Sequence, residues 1–125
     1  MASLDIKYKG YEDFFRKYVE VLSPFLGIPK KEKEFLAELM FQDYSRRDYK
    51  VSDRYTIIFS YENKVAMCTK LKKNNQSLRN SLTNFRKKNF IIKDKQGIDC
   101  LAPYLRVNPD KLTNITFNFV KHEQQ

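Results

Sequence analysis

Apolar residues recur at helical spacing in the first third of the chain and predict two amphipathic helices. The first helix begins at Tyr11. Its apolar face consists of Phe14, Phe15, Tyr18, Val19 and Leu22. The helix breakers Pro24, Gly27 and Pro29 follow, and we expect them to end it. A second helix is predicted over residues 30–43. Its buried face consists of Phe35, Leu36, Leu39 and Met40.

The segment "RYTIIFS" that comes next fits either a short helix or a strand. As a helix, it is capped by Ser52 or Asp53. Its inward residues are then Tyr55, Ile58 and Phe59. The strand is the competing interpretation, because the run Tyr-Thr-Ile-Ile-Phe also has high strand propensity.

Two further helices are predicted on either side of a tight, Asn-rich turn. Ser60 followed by Glu62 is typical of a helix start. The inner face of this fourth helix is Val65, Cys68 and Leu71. Asn75 is expected to cap a fifth helix over residues 76–89. The fifth helix has an inner stripe of Leu78, Leu82 and Phe85, with Ser81 alongside.

The segment "FIIKDKQGIDCLA" after the fifth helix predicts a β-hairpin. "FII" and "IDCL" are its strands, and Gly97 occupies a turn position that favours positive φ. Residues 101–114 contain Pro103 and Pro109 and are expected to be irregular. "NITFNFV" alternates strictly and predicts a half-buried closing strand. The apolar side of that strand is Ile115, Phe117 and Phe119, and the polar side is Thr116 and Asn118.

This order of elements predicts an α+β fold: a small, mostly helical winged helix-turn-helix domain. The helix-turn-helix spans about residues 61–89 and the hairpin wing about residues 90–101. Residues 1–10 form an N-terminal arm, and residues 11–125 form one domain, which suits a chain of 125 residues.

Positive charge is concentrated in one segment. Residues 70–95 contain nine Lys and Arg residues against Asp94 alone, which gives +8 of the chain's net +9. Clustering of this kind creates a local positive potential that attracts polyanions. The alternative is a solvated, solubilising face, since charge runs often have no further role.

Other functional classes find little support in the sequence. The two cysteines, Cys68 and Cys100, are far apart, and with the one histidine, His122, they are too few for a zinc site. We find no nucleophile–base pair and no Gly-rich phosphate loop, so we expect neither an enzyme nor a cofactor. There is no apolar run of about 18 residues and no apolar leader, so we expect no membrane span and a cytoplasmic or particle-bound protein.

The fifth helix and the hairpin carry the candidate functional residues. An α-helix fits the major groove of B-DNA, and amide side chains pair with adenine edges while Arg and Lys reach guanine or phosphate. The predicted DNA-binding residues are Lys72, Lys73, Gln76, Arg79, Asn80, Thr83, Asn84, Arg86, Lys87, Lys88, Lys93 and Lys95. Local capping and turn formation are the alternative explanation for the amides.

Four segments resemble the winged-helix proteins of tailed bacteriophages, including crAss-like phages. That family has an "L-x-P-F-L" motif, a Lys/Glu-rich helix ending in Leu, an "L-L-F-S" segment and "L-R-K-K-G-x-I". The counterparts here are Leu22 to Leu26, Lys30 to Met40, Ile57 to Ser60, and Phe85 to Ile91. A closing "F-x-F" strand matches Phe117 to Phe119. The resemblance spans about residues 18–120 and implies the winged-helix fold more than any activity.

Two positions depart from the family pattern. The turn between the two helices usually carries Gly and an apolar residue, and here it carries Lys72 and Lys73. These lysines either open the turn or direct it toward a polyanion. The Gly that precedes the wing is replaced by Asn89, which tolerates the left-handed region nearly as well.

Two functions remain open from the sequence. One is a phage protein that binds double-stranded DNA, in the host cytoplasm or the virion. The other is a structural virion protein, such as a head–tail connector or ring subunit, in which the winged helix docks phage structural proteins or a second copy. The exposed closing strand would suit β-augmentation in that second role.

Overall fold

The computed structural model describes residues 5–111, 116, 118, 120 and 121. In these ranges the chain has an α+β fold with five α-helices and one antiparallel hairpin. In chain order the elements are α1 (Tyr11–Leu26), α2 (Lys30–Ser45), α3 (Val51–Ile58), α4 (Tyr61–Leu71), α5 (Asn75–Lys87), β1 (Ile91–Lys93), β2 (Asp99–Leu101) and a 3-10 helix (Pro103–Leu105).

Helix α1 continues through Pro24, so the expectation that this proline ends it is wrong. A proline has no N–H and would leave the carbonyl of Glu20 without its helical partner. The hydroxyl of Ser23 donates to that carbonyl instead, at 3.1 Å. The helix ends at Gly27, whose left-handed conformation (φ 66°) lets its N–H bond the Ser23 carbonyl.

Helix α2 is the central element and contacts the other four helices. The predicted buried face of Phe35, Leu36, Leu39 and Met40 is confirmed. Burial extends well beyond that face to several polar side chains. These are Glu32, Glu38, Gln42 and Asp43. The helix runs to Ser45, two residues past the predicted end.

Residues 51–58 form a helix, and the strand alternative is wrong. Helix α3 begins at Val51 with Lys50 at the N-cap, and no side chain caps it, so the prediction of Ser52 or Asp53 as its cap is also wrong. Tyr55 and Ile58 are fully buried as predicted, and Phe59 is half-buried.

Helix α4 begins as predicted, because the hydroxyl of Ser60 accepts a hydrogen bond from the N–H of Asn63. Its predicted inner face is only partly right. Met67 and Cys68 are buried, whereas Val65 is 38% exposed. Three-residue steps drift by about 60° around a helix, so a face centred between Met67 and Leu71 leaves Val65 outside it.

Helix α5 begins one residue earlier than predicted. Its cap is Asn74, whose side-chain oxygen accepts from the N–H of Ser77 at 2.7 Å, and Asn75 is the first helical residue. The core stripe of α5 is confirmed. Its buried residues are Leu78, Ser81, Leu82 and Phe85.

The turn between α4 and α5 is closed despite its two lysines. Lys72 takes the left-handed conformation (φ 57°), and the N–H of Lys73 bonds the Cys68 carbonyl at 2.9 Å. This is the Schellman arrangement that a glycine usually provides. Asn89, at φ 62°, likewise takes the conformation expected before the hairpin.

The hairpin is confirmed. Strands β1 and β2 pair antiparallel, with Ile91 opposite Leu101 and Lys93 opposite Asp99. Its turn is held by Asp94, which bonds the N–H groups of Gln96 and Ile98, and Gly97 has φ 78°. The predicted closing strand falls mainly on Ile115, Phe117 and Phe119, which lie outside the described residues, as does His122.

Candidate nucleic-acid interface

The outer face of α5 is fully available to solvent. Its predicted members Gln76, Arg79, Asn80, Thr83 and Lys87 are all exposed. The opposite side of the helix is the buried stripe, and the Asn74 cap fixes where the helix starts. The fold therefore presents this row of polar and basic side chains on a helix that is anchored from behind.

Two amides on this face are joined to each other. The Nε2 of Gln76 donates to the Oδ1 of Asn80 at 2.9 Å, one helical turn apart. The bond leaves the Nδ2 donor of Asn80 and the Oε1 acceptor of Gln76 for other partners. An adenine edge requires a donor and an acceptor side by side.

Asn84 has a different environment from the other predicted base readers. It is half-buried, and its Nδ2 donates to the Oε2 of Glu32 at 2.7 Å. Glu32 is 1% exposed in the first turn of α2, and its Oε1 has no hydrogen-bond partner in the described part of the chain. Asn84 therefore connects α5 to α2, and it is not available at the outer face.

Arg86 and Lys93 share one acidic partner. The Nε and Nη2 of Arg86 lie 3.2 and 3.0 Å from one oxygen of Asp99, and the Nζ of Lys93 lies 3.0 Å from the other. Partial burial acts to raise the pKa of Asp99, but the bonds from Lys93 and Arg86 outweigh it, and the pKa lies below its ordinary value. This carboxylate ties the last turn of α5 to both strands of the hairpin.

Among the other lysines of residues 70–95, some contact an acceptor of the same chain and some do not. Lys70 bonds Glu38 and Glu12 at 2.9 and 3.3 Å, and Lys73 lies 4.0 Å from Glu34. The ammonium of Lys88 donates to the carbonyl of Gly27. Lys72 and Lys95 are exposed, and neither makes an ion pair within the described ranges.

Acidic side chains therefore neutralise part of the positive charge of residues 70–95 in the folded chain. Five cations of residues 70–95 make no ion pair with an acidic side chain in the described residues. These are Lys72, Arg79, Lys87, Lys88 and Lys95.

Sequence reasoning missed Asp99 and Glu32. The register that sets Asp99 opposite Lys93 was a usable signal, because cross-strand neighbours interact. Nothing in the pattern of α2 identified Glu32.

A cleft of about 250 Å³ lies between α1, α2 and α4, and Lys72 of the turn before α5 is at its rim. Phe41 and Leu71 line its apolar side, and Glu12, Glu38 and Lys70 its polar side. The Lys70 ammonium sits 5.1 Å from the centre of the Phe41 ring. These charges already pair with one another, and the pairs connect α1, α2 and α4 at the cleft.

No protein-family model, curated protein or solved structure matches this chain. Among the described residues, no group of three or more His, Cys, Asp or Glu side chains is placed to hold a metal ion. No described helix has the length and apolar character needed to cross a membrane.

Proposed function

We propose that this chain is a non-enzymatic winged-helix protein that binds double-stranded DNA through the outer face of α5 and the hairpin. One observation carries the proposal. Arg79 and Lys87 stand exposed on the same face as the Gln76–Asn80 amide pair, and neither cation has an acidic partner in the described residues. This is a face that loses little on meeting a phosphate backbone, because no existing ion pair has to break.

The order of elements supports the winged-helix interpretation. Helices α2, α4 and α5 contact one another, α4 and α5 are joined by three residues, and the hairpin follows α5 directly. In that interpretation α5 enters the major groove and the hairpin lies along the neighbouring backbone. Lys95 at the hairpin turn is exposed.

The contacts of the free protein suggest separate tasks for the predicted residues. Gln76, Asn80 and Thr83 face the base edges. The phosphate contacts are Lys72, Arg79, Lys87, Lys88 and Lys95. Asn84 holds α5 against Glu32 and positions the helix.

A structural role in a phage particle is the second candidate. It is favoured by the engagement of Arg86, Lys93 and Lys73 with acidic side chains of the same chain, which shows that this surface already accommodates carboxylates. Carboxylates of an acidic neighbouring protein would form the same kind of ion pair with this surface. Mass spectrometry of purified particles tests this candidate, and absence of the protein from them rules it out.

The DNA proposal is tested by removing two unpaired cations from α5. Replacing both Arg79 and Lys87 by Ala should weaken binding of a labelled duplex and lower the slope of log affinity against log salt by about 2, since each lost phosphate contact contributes roughly one. Fluorescence anisotropy over a salt series measures both quantities.

The matched control removes two lysines near Tyr44, in the last turn of α2. Lys9 and Lys111 are exposed close in the chain to Tyr11 and Asp110, which contact Tyr44, and the two ends of α2 are about 22 Å apart along its axis. The double replacement of Lys9 and Lys111 by Ala should leave the slope within about 0.5 of the unaltered protein. Equal losses in the two double variants would show that only total charge matters and would refute the assignment to α5.

A further inference from the structure

Asp99 lies between two cations where α5 meets the hairpin. It is the first residue of β2, directly opposite Lys93 on β1, and Arg86 reaches it from the last turn of α5. Both carboxylate oxygens are engaged: one accepts two bonds from the guanidinium of Arg86, and the other accepts from Lys93. The fork of an Arg side chain matches carboxylate and phosphate equally well.

The two cations are more exposed than the carboxylate that they hold. The side chain of Asp99 is 20% exposed, whereas those of Arg86 and Lys93 are 43% and 68% exposed. Solvent, and an anion dissolved in it, therefore has better access to the two cations than to Asp99. Lys87 follows Arg86 in the chain, Lys95 comes two residues after Lys93, and both lysines are exposed without an ion pair in the described residues.

We propose that Arg86 and Lys93 form an anion-binding site that Asp99 fills in the free protein, so that Asp99 acts as an internal competitor of a backbone phosphate. The inference rests on the proposed DNA-binding function and adds a regulatory residue to it. Asp99 keeps these two cations engaged and holds the hairpin against α5, so it lowers the affinity for any duplex. In the unaltered protein the phosphate contacts are therefore made by the unpaired cations, and a backbone phosphate gains Arg86 and Lys93 only when Asp99 is removed.

Removing the charge of Asp99 should strengthen DNA binding, whereas most substitutions at an interface weaken it. Asp99→Asn leaves Arg86 and Lys93 without an ionic partner among the described residues. Two added phosphate contacts should steepen the salt slope by about 2. They should raise the affinity for duplex DNA by about fivefold, as expected of two exposed ion pairs.

Asp94→Asn is the matched control. It removes the same charge from the same hairpin, and an Asn oxygen preserves the bonds to the N–H groups of Gln96 and Ile98. Asp94 makes no ion pair in the described ranges, so this variant reports only the effect of net charge. Circular dichroism of both variants confirms that they are folded before binding is compared.

Anisotropy with a labelled duplex over a salt series decides between the outcomes. Stronger binding with a steeper slope in Asp99→Asn than in Asp94→Asn supports the internal competitor. Equal effects of the two variants, or weaker binding by Asp99→Asn, overturn it while leaving DNA binding intact. If the unaltered protein does not bind the duplex at low salt, the proposed function fails, and a heparin column then tests the site alone. Later elution of Asp99→Asn than of Asp94→Asn supports the anion site, and equal elution overturns it.

Discussion

Arg54 shows at the scale of one residue how a charged side chain is kept inside this fold. It is 9% exposed, and its Nη1 bonds the carboxylate of Asp43 at 2.9 Å. Its other nitrogens donate to three carbonyls of the loop between α2 and α3, those of Arg46, Arg47 and Tyr49, each at 3.0 Å. The same Asp43 oxygen also accepts from the hydroxyl of Tyr55 at 2.5 Å. The loop therefore depends on one guanidinium for its shape.

Replacing Arg54 by Met should lower the free energy of unfolding by about 3–5 kcal/mol, because Asp43 is left buried without its ionic partner. Urea denaturation measures the change. Arg16→Met is the matched control, because Arg16 pairs with Asp13 at the surface, with 60% of its side chain exposed. That change should cost less than about 0.5 kcal/mol. A similar small loss in Arg54→Met would contradict the role given to the network.

Helix α5 and the turn before it carry the proposed function at the scale of elements. Two residues of that turn fix its shape. Asn74 caps α5, and Lys72 takes the left-handed conformation in which α4 ends. Position and direction of α5 follow from these two residues together with its buried stripe. Changes in the turn therefore separate the stability of the helix from its charge.

The start of α5 is tested by two neighbouring asparagines. Asn74→Ala should lower the stability by about 1 kcal/mol, since it removes the acceptor for the N–H of Ser77. Asn75→Ala should change the stability by less than about 0.5 kcal/mol, because Asn75 is an exposed first-turn residue and Ala is a good helix former. Thermal or urea unfolding distinguishes them. The reverse order would show that α5 begins one residue later, as the sequence alone suggested.

Lys72 should show opposite effects on stability and on binding. Lys72→Gly relieves the left-handed strain at φ 57°, which is worth about 1–2 kcal/mol, offset by about 0.5–1 kcal/mol of added chain entropy in the unfolded state. A net gain of about 0.5–1 kcal/mol in urea denaturation is expected. The same variant should bind duplex DNA more weakly, because an exposed cation is lost. A variant that is both more stable and an equal binder would remove Lys72 from the interface.

The sequence predicted those elements whose signal is local. The stripe of Leu78, Leu82 and Phe85 and the turn at Gly97 follow from spacing and turn chemistry alone. Contacts between distant segments had no such signal. The Ser23 hydroxyl that carries α1 past Pro24 is a rotamer choice, and the burial of Glu32 depends on how α5 lies on α2. The sequence therefore predicted which face of α5 is exposed, but it did not predict the acidic side chains that pair with the cations of the candidate site.

At the scale of the whole molecule, unpaired cations occur in several places but are densest in one. Acids such as Glu20 and Glu34 lie on α1 and α2, where lysines pair with them. Lys9 and Lys111 are exposed cations without an ion pair in the described residues, and five such cations fall within residues 72–95, on α5, the turn before it and the hairpin. A surface of one sign steers a polyanion to that side and makes its binding depend on salt. In the proposed function, DNA binding therefore depends on where the cations lie in the fold and not on net charge alone.

The salt dependence of duplex binding by the unaltered protein tests the central claim most directly. Five unpaired cations predict a linear fall of log affinity with log salt, with a slope of about −4 to −5. Anisotropy with a labelled duplex, measured from low to physiological salt, gives that slope. A slope in this range supports a phosphate-binding face built on α5 and the hairpin. Absence of binding at low salt, or a slope near zero, would contradict it.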